Sequence, residues 1–146
     1  MLLVKNGRVV DPGRKTDATL DILLDGERIA EVAPAGEISS RNGFEVFDAG
    51  GQIVAPGFID LHAHLREPGQ ESSETIETGT NAAARGGFTA VCCMPNTKPV
   101  NDSASVTRFI LDRAKTCASV RVWPIGAAST GSEGEAIAEI DRKSVV

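Results

Sequence analysis

Short apolar runs separated by turn residues occupy the first part of the chain. Residues 18–24 and 28–32 lie on either side of an Asp-Gly pair, which is typical of a tight hairpin turn. A second such signal, an Asn-Gly pair, divides residues 2–10 into two short strands, and residues 45–48 form another strand between loops. The pattern predicts a small β domain over residues 1–55, which we interpret as one portion of a β-sandwich.

Beyond this domain, strands alternate with helices. Residues 58–61 are predicted to form an apolar strand. Residues 89–94, with the sequence TAVCCM, are apolar on both faces, as expected for a strand buried in a parallel sheet. Residues 120–125 form a third strand. Strands and helices alternating at this spacing predict βαβ units and a parallel sheet.

The helix predicted between the first two of these strands covers residues 73–85. Ser72 or Ser73 can cap its start, because a serine oxygen accepts a hydrogen bond from an unpaired backbone N–H of the first turn. The Gly-Gly pair at 86–87 is predicted to end it, since glycine readily adopts the left-handed conformation that closes a helix.

A second helix is predicted to begin after Asp102 or Ser103, either of which can act as its cap. Its apolar positions recur at helical spacing and predict one buried face, made of Val106, Phe109, Ile110, Ala114 and Cys117. Trp123 is expected to pack within the third strand. Residues 131–140 are typical of the opening of a further helix.

These units predict an α/β fold in which residues 56–140 form the first part of a (β/α)8 TIM barrel, with about three βα units. A closed barrel of eight units takes about 250 residues, whereas 91 of the 146 residues follow position 55. We therefore expect the natural protein to be longer. The last six residues, 141–146 (DRKSVV), break the preceding pattern, and we interpret them as a non-native tail.

The composition limits the kinds of partner that the protein can bind and indicates the cellular compartment in which it works. The formal net charge is −5 without any run of basic residues, which argues against a nucleic-acid partner. No apolar stretch is long enough to span a membrane or to form a signal-peptide core. Three cysteines cannot all pair, and Cys92 and Cys93 are adjacent, so we expect a reduced, cytoplasmic protein. These two and Cys117 are interpreted as small core residues.

The two histidines of the chain, His62 and His64, are two residues apart at the end of a predicted strand. Alternate residues of a strand share a face, so both imidazoles are expected to project the same way and reach one metal ion. The alternative is that they are merely packed or solvated, but their pairing at a strand end favours a metal site. Catalytic zinc usually has three protein ligands, so further ligands are expected outside this chain.

Three polar residues near this pair are further candidates. Asp60 could be a metal ligand, or it could accept a hydrogen bond from an imidazole. Arg66 could clamp a substrate carboxylate with its two parallel donors, and the alternative is a surface ion pair with a nearby glutamate. Asn96 follows the second strand and would face the same end of the sheet, although an asparagine after a proline is equally common in turns.

Two segments resemble the dihydroorotases of the class that includes the multifunctional-complex type. They are PGFIDLHAHLREPG, residues 56–69, and ETGTNAAARGGFTAVCCMPNTKPVND, residues 77–102. The resemblance extends over nearly all of residues 1–140. Allantoinases usually place the asparagine differently after MP, and hydantoinases typically lack the HLREPG continuation, so the MPNT sequence favours dihydroorotase.

The resemblance implies a cyclic amidohydrolase with one or two zinc ions, a β-sandwich built from both chain ends and a (β/α)8 barrel. It implies that His62 and His64 are metal ligands and that His64, Arg66 and Asn96 contact the substrate. The remaining ligands and the aspartate that acts as acid and base belong to a part of the family pattern that this chain lacks. No catalytic residue is therefore assigned here, and the chain alone is expected to be inactive and poorly soluble.

The implied reaction interconverts dihydroorotate and N-carbamoyl-L-aspartate in de novo pyrimidine (UMP) biosynthesis. One alternative is allantoinase or another cyclic-ureide hydrolase. Another is a non-catalytic dihydroorotase-like partner of aspartate transcarbamoylase, against which the presence of both histidines argues. A homodimer, or association with aspartate transcarbamoylase, is also compatible with the resemblance.

Overall fold

The computed structural model of the chain describes residues 1–39 and 43–139. Internal contacts divide the chain into two units, Met1–Pro56 and Gly57–Val146. The tail interpreted as non-native, residues 141–146, lies outside the described residues. Neither helix of the described part is long and apolar enough to span a bilayer.

The first unit is a five-stranded sheet. Its strands in chain order are β1 (Leu2–Asp11), β2 (Thr16–Asp25), β3 (Arg28–Pro34), β4 (Glu45–Asp48) and β5 (Ile53–Val54). The order is β3-β2-β1-β4, with β5 also paired to β1. Strands β1, β2 and β3 pair antiparallel, whereas β4 and β5 run parallel to β1. The predicted hairpin is confirmed as β2 and β3, while membership of a β-sandwich stays a prediction.

Asn6 lies within β1 and does not reverse the chain. It has a φ of 61°, and the pairing with β2 shifts register between Val4 and Gly7. Asparagine tolerates this left-handed conformation, so the residue forms a β-bulge and the strand continues. The prediction that the Asn-Gly pair separates two short strands is wrong, because the ladder to β2 resumes beyond the bulge.

A buried carboxylate fixes this bulge. Asp21 in β2 is fully buried, and its Oδ1 accepts a hydrogen bond of 2.9 Å from the backbone N–H of Asn6. Its Oδ2 accepts a second bond of 2.9 Å, from the backbone N–H of Gly36. Both oxygens are paired, as a carboxylate removed from water requires. Asp21 therefore links the bulge in β1 to the loop after β3.

Replacing Asp21 by asparagine should lower the free energy of unfolding of the chain by about 1–3 kcal/mol. The amide offers a single acceptor oxygen, so one backbone N–H is left facing an NH2 group. Urea unfolding followed by circular dichroism measures the change. The matched control is Asp48→Asn, which alters an exposed carboxylate that also accepts two hydrogen bonds. If the free energy of unfolding fell equally in both variants, burial of the Asp21 carboxylate would not explain the destabilisation.

The second unit alternates strands and helices. In chain order it contains β6 (Phe58–Ala63), α1 (Ile76–Arg85), β7 (Phe88–Cys93), α2 (Ala104–Cys117), β8 (Arg121–Pro124) and a 3-10 turn (Thr130–Ser132). The three strands form a parallel sheet in the order β6-β7-β8. The predicted α/β class and the parallel pairing are confirmed, while closure into a barrel stays a prediction.

Helix α1 begins three residues later than predicted. The Thr75 hydroxyl accepts a hydrogen bond from the Thr78 N–H at 3.1 Å, and the Thr78 hydroxyl accepts one from the Thr75 N–H at 3.0 Å. This reciprocal capping box starts the helix at Ile76. Neither Ser72 nor Ser73 caps it, because Thr75 holds the N-cap position. The predicted end is confirmed, since Gly86 closes the last turn.

Ser103, one of the two predicted residues, occupies the N-cap position of helix α2, but its hydroxyl makes no capping hydrogen bond. The other, Asp102, accepts a hydrogen bond of 2.7 Å from a backbone N–H of the loop after β8. Val106 and Ile110 are buried as predicted, but Phe109 is 46% exposed. The buried side of α2 is centred on Val106 and Ile110, and Phe109 lies at its edge.

The helices cover one face of the parallel sheet. The core there consists of Leu65, Ile76, Val91, Cys93, Val106, Ile110 and Val122. Four large apolar strand residues of this sheet are more than half exposed: Phe58, Ile59, Leu61 and Trp123. Successive strand residues face opposite ways, so a buried Val122 turns Trp123 away from the helices. The prediction that Trp123 packs within the third strand is wrong.

No helix forms within residues 131–139, the described part of the predicted third helix. A short antiparallel bridge joins Ser129 to Ile137 instead. Positive φ angles at Gly131 and Ser132 are incompatible with a continuous α-helix. The apolar pattern here belongs to a folded-back loop.

Cys93 should resist alkylation while the chain is folded. It is 3% exposed, and burial raises the pKa of its thiol to about 11. At pH 8 the reactive thiolate falls from about a quarter of the thiol to about a thousandth, so labelling by iodoacetamide should slow by about two orders of magnitude relative to the unfolded chain. Tandem mass spectrometry of the labelled peptide separates Cys93 from Cys92. Equal rates in buffer and in urea would contradict the core position.

Candidate functional site

The predicted site residues lie at one end of the parallel sheet. His62 is in β6, His64 and Arg66 follow that strand, and Asn96 follows β7. A backbone hydrogen bond of 2.8 Å joins the carboxyl ends of the two strands. Parallel order therefore brings the four residues to adjacent strand ends.

The two imidazoles lie side by side. The ring centroids of His62 and His64 are 5.2 Å apart, with an angle of 65° between the ring planes. Both residues are exposed, so neither is a packed core histidine. The rings are close enough for both to approach a single ion placed between them.

Asp60 supports the backbone of this segment. The register of β6 against β7 shifts between Asp60 and Ala63, and Asp60 Oδ1 accepts a hydrogen bond of 2.9 Å from the His62 backbone N–H. This bond holds the carboxylate against the main chain, and a contact of Asp60 with a metal ion or an imidazole stays a prediction. Asp60 thereby supports the backbone of β6 at His62.

Asn96 orients the second imidazole. Its Oδ1 lies 2.9 Å from Nδ1 of His64. An amide oxygen can only accept, so Nδ1 donates in this contact, and Nε2 is the ring nitrogen left for a metal ion. Metal-binding histidines are commonly held this way by an acceptor on the other ring nitrogen. Sequence reasoning assigned Asn96 only to substrate, since nothing in the local sequence indicates a contact across 32 positions.

Arg66 is half-buried in the loop after β6. Its Nη1 donates to Gln70 Oε1 at 3.4 Å, and Gln70 Nε2 donates to the Asn96 carbonyl at 3.3 Å. Gln70 therefore connects the two candidate substrate contacts. The backbone of Arg66 has a φ of 61°, which is uncommon for a residue other than glycine.

The nearby glutamates are engaged elsewhere. Glu67 bonds Arg113 at 2.8 Å. Glu71 accepts a hydrogen bond of 2.7 Å from a backbone N–H, which lowers the pKa of its carboxyl group. Glu74 accepts from a threonine hydroxyl. Within residues 1–39 and 43–139, Arg66 has no ion pair shorter than 4.0 Å, so its charge is available to an anionic ligand.

The loops that carry Arg66 and Asn96 are in close contact. The Lys98 N–H donates to the Pro68 carbonyl at 2.9 Å. Gly69 lies directly against the same residue, since a Cβ added to it would be 2.1 Å from the Lys98 carbonyl oxygen. Only a residue without a side chain permits this approach. The contact fixes the spacing between the two loops.

Replacing Gly69 by alanine should lower the free energy of unfolding of the chain by about 2–4 kcal/mol, through the clash with Lys98 and the strain of a positive φ. The matched control is Gly87→Ala. Gly87 also has a positive φ, but its added Cβ would meet nothing closer than 3.7 Å. Urea unfolding measures both variants. If the free energy of unfolding fell equally in Gly69→Ala and Gly87→Ala, backbone strain alone, and not the contact between the loops, would explain the destabilisation.

A buried asparagine joins the loop after β7 to the loop after β8. Asn101 is fully buried, and its Nδ2 donates to the Ile125 carbonyl at 2.9 Å. Its Oδ1 accepts from the Thr107 hydroxyl at 2.8 Å. Sequence reasoning missed this residue, because an asparagine beside a helix start reads as a local cap or turn.

The described residues do not form a metal site by themselves. No group of three or more histidine, cysteine, aspartate or glutamate residues able to hold a metal ion is found among them. His62 and His64 are the candidate donors, since zinc accepts imidazole nitrogens as ligands. The tautomer that Asn96 imposes on His64 fits this use.

Comparisons with known proteins agree on one family. The model of the family described as dihydro-orotase-like matches residues 51–144. The chain is 58% identical over 139 residues to a dihydroorotase of Solibacter usitatus and 49% identical over 139 residues to one of Geobacter metallireducens. Each match covers 95% of this chain and 32% of the relative. The chain thus spans about a third of the length of the curated relatives it matches.

Solved structures give the same fold. An L-hydantoinase (dihydropyrimidinase) from Arthrobacter aurescens superposes with a TM-score of 0.76 at 24% identity, over 88% of this chain and 28% of that one. A D-hydantoinase (dihydropyrimidinase) from Thermus sp. superposes with a TM-score of 0.71 at 28% identity, over 92% of this chain and 29% of that one. The likeness covers the β-rich first unit as well as the alternating second unit.

Proposed function

Because the chain belongs to the dihydro-orotase-like family, we propose that it forms part of a zinc-dependent cyclic amidohydrolase that acts as a dihydroorotase. The reaction interconverts dihydroorotate and N-carbamoyl-L-aspartate, which places the enzyme in pyrimidine biosynthesis in the cytoplasm. The observation that carries the proposal is the paired imidazoles at the end of β6, beside an Arg66 whose charge has no partner among the described residues.

His62 and His64 would hold the metal, one or two zinc ions in all. The exposed ring pair and the proton held on His64 Nδ1 by Asn96 support this assignment. A bound zinc ion lowers the pKa of its water toward about 7 and polarises a carbonyl group. Asp60 holds the backbone from which His62 projects.

Arg66 and Asn96 would bind the exocyclic carboxylate of the substrate. A guanidinium presents two parallel donors to two carboxylate oxygens. Asn96 uses its oxygen on His64, which leaves its Nδ2 group to donate to the substrate. His64 would also border the bound ring. This arrangement favours a ring that carries a carboxylate over a neutral one.

We propose that residues 56–140 are the first part of a (β/α)8 barrel and that residues 1–55 are a portion of a β-sandwich. The parallel order of β6, β7 and β8 supports the barrel. The apolar side chains of Ile59, Leu61 and Trp123 on its open face are those that further strands of a barrel would cover. The share of the relatives' length that the chain spans supports the same proposal.

The test chimera carries residues 1–139 of this chain in place of the matching segment of the Solibacter usitatus dihydroorotase. Its turnover of dihydroorotate is compared with that of dihydrouracil, the same ring without the carboxylate, and with that of allantoin. We expect dihydroorotate to be preferred over dihydrouracil by about a hundredfold in kcat/KM, as a lost pair of charge-assisted hydrogen bonds implies. A folded chimera that turns over only allantoin or dihydrouracil would overturn the proposal.

A further inference from the structure

A buried carboxylate directly follows the proposed substrate clamp. Glu67 is 7% exposed. Its Oε2 accepts a hydrogen bond of 2.9 Å from the backbone N–H of Ile76, the first residue of α1. Its Oε1 accepts one of 2.8 Å from Nε of Arg113, in α2. One side chain therefore ties the loop after β6 to both helices of the unit.

The two hydrogen-bond donors that contact Glu67, the Ile76 N–H and the Arg113 guanidinium, both favour a negatively charged partner. The N–H of Ile76 is one of the backbone donors that a helix start leaves unpaired, and the helix dipole favours negative charge there. The hydrogen bond to Glu67 raises the pKa of the Arg113 guanidinium. With each oxygen bonded to a different helix, the Glu67 side chain has a single well-defined position.

Two anchors hold the chain directly after Arg66. Glu67 fixes the chain immediately after it, and Pro68 is bonded through its carbonyl to Lys98. The left-handed φ of 61° at Arg66 is one that a residue with a side chain adopts only when its surroundings impose it. The bonds of Glu67 supply that constraint, and they leave the guanidinium of Arg66 to contact Gln70.

We propose that Glu67, together with Arg113, is a positioning residue that presents Arg66 to the carboxylate of the substrate. The inference rests on the proposed function, in which Arg66 is the carboxylate clamp. Both carboxylate oxygens of Glu67 are already bonded, to Ile76 and Arg113, so Glu67 would act through the backbone of its neighbour. Arg113 acts in turn by holding the Glu67 carboxylate in place through its 2.8 Å hydrogen bond.

The test uses Glu67→Gln in the test chimera, with dihydroorotate and dihydrouracil as substrates. Glutamine keeps the shape of the side chain but loses the charge and one acceptor. The KM for dihydroorotate should rise about tenfold with kcat changed less than about threefold, and the KM for dihydrouracil should stay the same, because only carboxylate binding is affected. A change confined to the melting temperature would mean a purely structural role and would overturn the inference.

Variants of Arg113 give an independent measurement if Glu67→Gln does not fold. Arg113→Met should raise the KM for dihydroorotate in the same way. Arg113→Lys keeps a positively charged donor, so its KM for dihydroorotate should lie close to that of the parent chimera. The matched control is Lys115→Met, which removes an exposed ion pair with Asp112 on the same helix and should leave both KM values unchanged. Equal effects of Arg113→Met and Lys115→Met would overturn the inference.

A chimera with no activity would defeat the proposed function but would still test this inference. Crystal structures of the chimera with Glu67 or with glutamine at that position then provide the readout. The Arg66 backbone should leave the left-handed region, and its guanidinium should move by more than about 1 Å, enough to misplace a binding group. An unmoved Arg66 would overturn the inference.

Discussion

Alanine in place of either His62 or His64 should lower kcat/KM of the test chimera for dihydroorotate by at least about a thousandfold. The two rings are the proposed metal donors of this chain, and losing one should leave the ion without enough ligands to stay bound or to activate water. Steady-state assays with dihydroorotate measure the loss, and elemental analysis of the dialysed protein measures the zinc content.

The double variant provides the control for this prediction. Residues that act as one unit are strongly non-additive, so removing both histidines should cost little more than removing one. Lys115→Met, which removes an exposed ion pair on α2, should keep the zinc content of the parent chimera. Single variants that retain zinc and whose kcat/KM for dihydroorotate falls less than about tenfold would contradict the assignment of His62 and His64 as metal ligands.

Methionine in place of Arg66 should raise the KM of the test chimera for dihydroorotate by about a hundredfold, since charge-assisted hydrogen bonds contribute roughly 1.5–3 kcal/mol. Methionine keeps the apolar stem and removes only the guanidinium. The KM for dihydrouracil, which has no carboxylate to bind, should change by less than about twofold. Initial-rate measurements with the two substrates separate the effects.

Arg66→Lys tests the geometry of this contact. Lysine keeps the charge but not the planar pair of donors, so we expect a rise in KM of about tenfold, between the parent and Arg66→Met. If Arg66→Met affected both substrates equally, Arg66 would be a support for the loop and not a carboxylate clamp.

Regular elements were predictable where the sequence carries a local signal. The Asp-Gly pair sets the β2–β3 hairpin, and the alternation of apolar strands with helices sets the parallel sheet. The start of α1 was misplaced because several consecutive residues can cap a helix, and the reciprocal bonds of Thr75 and Thr78 decide among them. Asn6 makes a bulge because Asp21, fifteen positions away, binds its N–H.

The candidate site was predictable in its residue types but not in its contacts. Period-two spacing indicated that His62 and His64 project together, and their rings lie 5.2 Å apart. The partner of His64 is 32 positions away and the partner of Glu67 is 46 positions away. No local pattern encodes such pairs, because they depend on how the loops and helices pack.

Burial was the least predictable property of single residues. Phe109 and Trp123 were expected to be covered because they are large and apolar, yet both are exposed to a large extent. Whether such a side chain is buried depends on which neighbouring elements pack on its side of a helix or strand.

The most direct test of the shared metal is anomalous X-ray diffraction at the zinc absorption edge from crystals of the test chimera. Data on both sides of the edge give a map in which zinc alone changes strongly. We predict a peak about 2.0–2.1 Å from a ring nitrogen of both His62 and His64, the usual distance for zinc and histidine. A zinc peak elsewhere in an active chimera, with both rings turned away from it, would contradict the account.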